Sequence, residues 1–337
     1  MSGDDRDESR DYMAGFSYEE QMEEISVWPA LGCTDIGRIR PRMDRMVFAL
    51  GLTVDGELFA PAANEPVSKA PSQKMNRRVL LDTDHWITYP KLNPEAVLRL
   101  FCFPYAGGGS AIFRSWINSL PDTVEVGLVQ LPGREHRISE PPFTQVGPLV
   151  EALSIALRPH LDKEFAFFGH SMGAIVSFEL ARWLRSSQSI CPARLFVSGR
   201  AAPQVPDGSP PTYNLPEADL LIEVRRLNGT PREVLENREL MRLVLPILRA
   251  DFELVQTYRY SAGPPLDCSI TAFGGLQDKE ISREDLEAWR EQTNDSFSLH
   301  MLPGDHFFIN TERQMLLDQL SKELGQLTIQ GPERQRH

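Results

Sequence analysis

From residue 95 onward, short apolar runs alternate with longer stretches in which apolar residues recur every three or four positions. The runs at 97–103, 124–130, 165–168, 195–197, 270–273 and 297–302 are rich in Val, Leu, Ile and Phe, which predicts strands buried on both faces. The periodic stretches at 112–120, 146–161, 172–185 and 312–324 predict helices. Strands alternating with helices imply an α/β fold, a mostly parallel sheet with helices on both faces, and such sheets bind ligands at the carboxyl ends of their strands. One interval departs from the alternation. Residues 216–260 keep helical periodicity, through Leu220, Leu221, Val224 and Leu227 and then Leu240, Leu243, Leu245, Ile247 and Leu248, with no strand candidate. Lying between the fourth and fifth of these strands, it reads as a helical lid at about 205–260 over the sheet's carboxyl edge. A plain packing pair of helices is the alternative.

The first 74 residues are of another kind. Residues 1–24 hold nine acids against Arg6 and Arg10, a net of −7, so the remaining chain carries only −5 of the total −12. Pro61, Ala62, Ala63, Pro66, Ala70 and Pro71 then give a linker-like composition. The expectation is a flexible acidic extension over 1–74 and one catalytic domain over 75–337, with Met75 as an alternative start. The negative charge argues against a nucleic-acid partner. The four cysteines, Cys33, Cys102, Cys191 and Cys268, lie far apart without a C-x-x-C spacing, which suggests neither zinc nor a disulfide framework. Cys102 and Cys268 fall in or beside apolar runs, where a buried thiol is expected. With no apolar leader and no stretch approaching eighteen apolar residues, the chain reads as a cytoplasmic monomer that does not enter a membrane.

The candidate chemistry begins at Gly169-His170-Ser171-Met172-Gly173, between a strand run and a helical stretch. A strand turning sharply into a helix at a serine lifts the hydroxyl out of the sheet, and the flanking glycines relieve the collision. The Met172 N–H then stands at a helix N-terminus, where it can stabilise an oxyanion. A serine needs a base and a carboxylate, which in this topology follow it in the order acid, histidine. Three histidines follow Ser171. His337 is terminal and His300 lies inside a strand run, whereas His306 follows one in the loop Pro303-Gly304-Asp305 and is the expected base. Asp278, after the turn Gly274-Gly275-Leu276-Gln277, is the expected acid, with Asp251 and Asp305 as rivals. The glycine run after the first strong strand, Phe103-Pro104-Tyr105-Ala106-Gly107-Gly108-Gly109, supplies a second oxyanion amide, expected at Ala106. It is no P-loop, since no Lys-Ser/Thr follows, and no dinucleotide fingerprint, since Ile112 stands where the third glycine is required.

With these pieces placed, the chain resembles the discrete type II thioesterases that accompany polyketide and nonribosomal peptide synthetases. The likeness rests on the glycine run, on Gln130-Leu131-Pro132-Gly133-Arg134-Glu135 through Arg137, on the serine elbow, and on Val197-Ser198-Gly199-Arg200. Leu245-Pro246 through Arg249-Ala250-Asp251-Phe252, Phe273-Gly274-Gly275 with Asp278, and Gly304-Asp305-His306-Phe307-Phe308 complete it. The resemblance implies an α/β-hydrolase fold with a helical lid and hydrolysis of acyl groups from the phosphopantetheine arm of acyl or peptidyl carrier proteins. It implies Ser171, Asp278 and His306 as triad, Ala106 and Met172 as oxyanion amides, and neither cofactor nor metal. Arg134, Arg137 and Arg249 could contact a carrier or pair within the molecule. A small-molecule esterase or lipase, and a non-catalytic carrier-binding protein, are the competing readings. Residues 1–74 depart from the family pattern.

Overall fold

A computed structural model describes residues 85–334; the acidic extension expected at 1–74 and the Met75 start lie outside the described residues. Seven strands form one sheet: β1 (Ile87–Thr88), β2 (Leu98–Phe103), β3 (Val124–Val129), β4 (Glu164–His170), β5 (Arg194–Ser198), β6 (Ser269–Gly275) and β7 (Phe297–Leu302). Their order across the sheet is β1-β3-β2-β4-β5-β6-β7. β1 runs antiparallel to β3, and the other neighbours are parallel. All six expected strands are present. β1 was not foreseen, because two residues are too few to set up an alternation.

The helices are α1 (Val146–Leu157), α2 (Met172–Gln188), α3 (Glu217–Leu227), α4 (Arg232–Leu235), α5 (Arg238–Thr257), α6 (Arg283–Glu287), α7 (Phe308–Thr311) and α8 (Arg313–Arg334). Alternate strand residues face opposite layers. Phe101, Phe103, Phe165 and Phe167 pack with Leu149 and Leu153 of α1 and Ile175 and Phe178 of α2. Leu98, Leu100, Cys102 and Phe168 face the other way, onto Phe113, Trp116 and Leu316 and Leu320 of α8. Both faces being covered is why the strands read as unbroken apolar runs. Cys102 and Cys268 are buried thiols in these layers.

The helix expected at 112–120 is a 3-10 helix at Ser110–Asn118. Phe113 and Trp116, three apart and both fully buried, eclipse each other at three residues per turn, a spacing that also passes for an α-helical stripe. The helix expected at 146–161 stops being α-helical at Leu157 and ends in a 3-10 turn, Arg158–His160, with Pro159 inside it. The interval between β5 and β6 holds α3, α4 and α5, whose Leu220, Val224, Val234, Met241, Val244, Leu245 and Leu248 form a small core of their own.

The chain leaves β2 for β3 on one side and later returns to place β4 on the other. The segments that follow β2 and β4 leave to opposite faces of the sheet, and the crevice between them is where an open α/β sheet receives ligands. The glycine run follows β2 and the serine elbow follows β4.

Candidate active site

At the end of β4, Ser171 adopts φ 53° and ψ −111°, a strained combination for a residue with a side chain. Its N–H donates to the Ser198 carbonyl at 2.8 Å, which ties the turn to β5. A Cβ at Gly169 would stand 2.1 Å from the Gly173 carbonyl oxygen, and one at Gly173 would stand 2.2 Å from that of Phe103. Both obstacles are backbone, so the glycine spacing is a steric requirement. Met172 begins α2 and is fully buried, so its N–H is one of the amides a helix start leaves without an internal partner.

In the glycine run, Gly107 takes φ 74° and its N–H donates to Asp251 Oδ2 at 2.7 Å, while the Gly108 N–H donates to the Tyr105 carbonyl at 2.9 Å. Both amides are thus engaged. Among the described residues the Ala106 N–H has no acceptor in the hydrogen-bond network. Helix α5 presses on this loop closely enough that a Cβ at Gly107 would fall 2.4 Å from Leu248 Cδ2.

Arg134 completes the loop's setting. Its Nη1 and Nη2 donate to Asp251 Oδ2 and Oδ1, both at 2.8 Å, and Nη1 also donates to the Gly108 carbonyl at 3.0 Å. With side chains 5% and 2% exposed, this is a buried bidentate pair that binds α5 to the glycine run. Next along the chain, Glu135 accepts from Ser110 Oγ at 2.7 Å and the Ala111 N–H at 3.0 Å, holding the start of the 3-10 helix. Arg137 lies 4.0 Å over the Trp86 ring and bonds the Gln130 carbonyl and Glu140. Arg249 donates to the carbonyls of Leu215 and Tyr213. Of the two readings of these arginines, carrier contact or internal pairing, the structure shows internal pairing. Asp251→Ala would leave Arg134 buried without its partner, and the urea unfolding midpoint is expected to drop by an amount equivalent to about 3–5 kcal/mol. An unchanged midpoint would contradict that account.

Asp278 and His306 meet at the ends of β6 and β7. A Cβ at Gly275 would stand 2.4 Å from the Asp305 carbonyl oxygen, so the two loops touch through backbone. His306 Nδ1 lies 2.8 Å from Asp278 Oδ2. An ionised carboxylate only accepts, so Nδ1 carries the proton. Oδ1 of the same carboxylate, whose side chain is 1% exposed, accepts from the N–H groups of Glu280 at 2.8 Å and Ile281 at 3.2 Å. The rivals are occupied elsewhere. Asp305 Oδ1 accepts from the Phe307 N–H at 2.9 Å, Asp251 holds Arg134, and His300 lies 3.3 Å from Glu323 and stacks on Phe273. Burial lowers the His300 pKa. His337 lies outside the described residues.

The ring of His170, the residue before Ser171, stands 5.3 Å from that of His306, which brings the elbow and the His306 loop together. Among the described residues no hydrogen bond joins Ser171 Oγ to His306. Such bonds are often long before substrate binds. The α3–α5 excursion touches the same loops. A Cβ at Gly229 would stand 2.2 Å from Phe307 Cζ, and Arg226 pairs with Glu280 at 2.5 Å. Among the described residues, no cluster of three or more His, Cys, Asp and Glu is placed to hold a metal ion, and no helix is long and apolar enough to cross a membrane.

The family model of the thioesterase domain matches residues 98–324. The chain belongs to the thioesterase family. It is similar to linear gramicidin dehydrogenase LgrE of Brevibacillus parabrevis, 48% identical over 235 residues that cover 69% of this chain and 89% of that protein. It is also similar to the gramicidin S biosynthesis protein GrsT of Aneurinibacillus migulanus, 46% identical over 239 residues covering 71% and 93%. Among solved structures, the type II thioesterase BorB of the borrelidin cluster matches with a TM-score of 0.66 at 34% identity, covering 71% of this chain and 97% of that one. The type II thioesterase YbtT of the yersiniabactin NRPS/PKS pathway matches as well, with a TM-score of 0.63 at 30% identity, covering 70% of this chain and 97% of that one. This thioesterase is accordingly a hydrolase of thioesters on the α/β-hydrolase fold. The name of LgrE denotes redox chemistry, but here the glycine run is no dinucleotide fingerprint and opens into a 3-10 helix.

Reading the sequence missed two residues of this site. For Arg134 the sequence leaves carrier contact and internal pairing both open, and its partner, 117 residues away, gives no local sign. His170 carried a signal, a polar ring closing an apolar strand run beside the serine, that was not used.

Proposed function

We propose that this thioesterase releases acyl groups from the phosphopantetheine arm of acyl or peptidyl carrier proteins, clearing stalled or misprimed units. Ser171 is the nucleophile, His306 the base, Asp278 the acid that orients it, and the amides of Ala106 and Met172 the oxyanion donors. The observation that carries this reading is the 2.8 Å His306–Asp278 pair, held on the strand ends beside the strained Ser171.

His306 Nε2 takes the Ser171 proton as Oγ attacks the thioester carbon, and the carbonyl oxygen gains its charge between the two amides. As the tetrahedral adduct collapses, the carbon–sulfur bond breaks and the proton passes from Nε2 to the leaving thiolate. Water, deprotonated by the same nitrogen, then attacks the acyl-serine ester, and the free acid departs as Ser171 recovers its proton. Asp278 keeps the proton on Nδ1 throughout, so Nε2 stays a base. No cofactor enters these steps. Helices α3, α4 and α5 act as the lid, and their contacts with the glycine run and the loops of Asp278 and His306 support that role.

The test is a panel of acyl, aminoacyl and peptidyl carrier proteins beside p-nitrophenyl esters. Turnover of carrier thioesters is expected to exceed that of simple esters by about 10²-fold or more in kcat/KM, since binding of the remote arm contributes to catalysis. Equal values would favour a small-molecule esterase. The same panel run on chains starting at Met1 and at Met75 assesses the domain boundary; equal rates are expected.

A further inference from the structure

His170 is the one ring of the elbow that the reaction above does not use. It is fully buried at the end of β4. Tyr105 stands edge-on at 5.7 Å, Phe308 edge-on at 5.6 Å, and the rings of Phe307 and His306 lie tilted at 6.3 and 5.3 Å. On the β5 side, a Cβ at Gly199 would stand 2.7 Å from its Cε1. The loops after β2, β5 and β7 therefore all close on this ring.

Its polar atoms make it more than filling. Nδ1 shares a 2.9 Å hydrogen bond with Ser198 Oγ, and Ser198 also supplies the carbonyl that accepts the Ser171 N–H. Nε2, shut off from solvent, faces the His306 backbone carbonyl without closing a well-formed hydrogen bond to it. A buried polar atom left so costs stability, and a phenylalanine would fill the space without that cost. Burial holds the His170 pKa well below the usual histidine value, with the nearness of His306 acting the same way and the His306 backbone carbonyl opposing. The ring is thus uncharged while its neighbour gains and loses a proton.

We propose that His170 is a positioning residue for the base: anchored by Ser198, its ring fixes the orientation of His306 relative to Ser171. Elbow and base are then held by one shared contact rather than by two independent loops. The inference rests on His306 being the base, as proposed above.

The test is steady-state hydrolysis of an acyl-N-acetylcysteamine thioester by the full chain, with unfolding midpoints measured in parallel. His170→Phe is expected to lower kcat by about 10- to 100-fold with KM within about threefold, because small misplacements of a base cost about that much. Its unfolding midpoint should not fall. His170→Gln, which keeps a donor and an acceptor, should recover part of the loss, and Ser198→Ala should lower kcat by about five- to tenfold through the released ring. A folded His170→Phe with wild-type kcat would overturn the proposal. Should that variant not fold, wild-type kcat in both His170→Gln and Ser198→Ala would overturn it instead. Ser171→Ala and His306→Ala serve as references: activity retained in either sinks the catalytic reading itself, whereas their inactivity beside a fully active His170→Phe sinks only this inference.

Discussion

Ser171→Ala is expected to lower kcat for thioester hydrolysis by about 10⁴- to 10⁶-fold while leaving carrier-protein binding intact. The assay is thiol release from acyl-carrier protein, with binding followed separately by titration. The elbow makes the result interpretable through stability. Ser171 sits at φ 53°, so alanine inherits the same strained backbone and should unfold at nearly the wild-type midpoint. Ser171→Gly, equally inactive, relieves the strain and should be more stable by about 1 kcal/mol. Turnover near wild type in either variant would remove the nucleophile from the proposal.

Asp278→Asn should cost about 10³- to 10⁴-fold in kcat with little change in KM. The asparagine amide can turn an N–H towards His306, which then carries its proton on Nε2, the nitrogen that must receive one from Ser171. The backbone amides of Glu280 and Ile281 still find an oxygen to donate to, so the fold is retained. The comparison with Asp251 is decisive, since both aspartates are buried and both follow Ser171 in the chain. Replacing Asp251 should act mainly on the unfolding midpoint, and replacing Asp278 mainly on kcat. The opposite assignment of the two effects would make Asp251 the acid.

How much of this could be read from residues alone depended on distance along the chain. Strands buried on both faces announce themselves as runs such as Leu98–Phe103, and the glycines around Ser171 mark a turn that only they permit. The order serine, acid, histidine narrowed the choice, and the structure brings His306 and Asp278 within a hydrogen bond. What stayed hidden was set by remote partners. Nothing near Arg134 points to Asp251, and nothing in Phe113 and Trp116 separates a 3-10 helix from an α-helix, since residues three apart share a face in both. The short strand β1 depends wholly on β3 beside it.

The clamp on the glycine run joins Gly107 to an acceptor 144 residues further on, and the proposed acid and base, Asp278 and His306, follow the last two strands of the sheet. A chain emerging from the ribosome therefore exposes its serine long before anything can activate it. Nascent domains form from the N-terminus as synthesis proceeds. On the proposed mechanism, hydrolytic competence arrives only when β7 has joined the sheet, so an unfinished molecule would discharge no thioester.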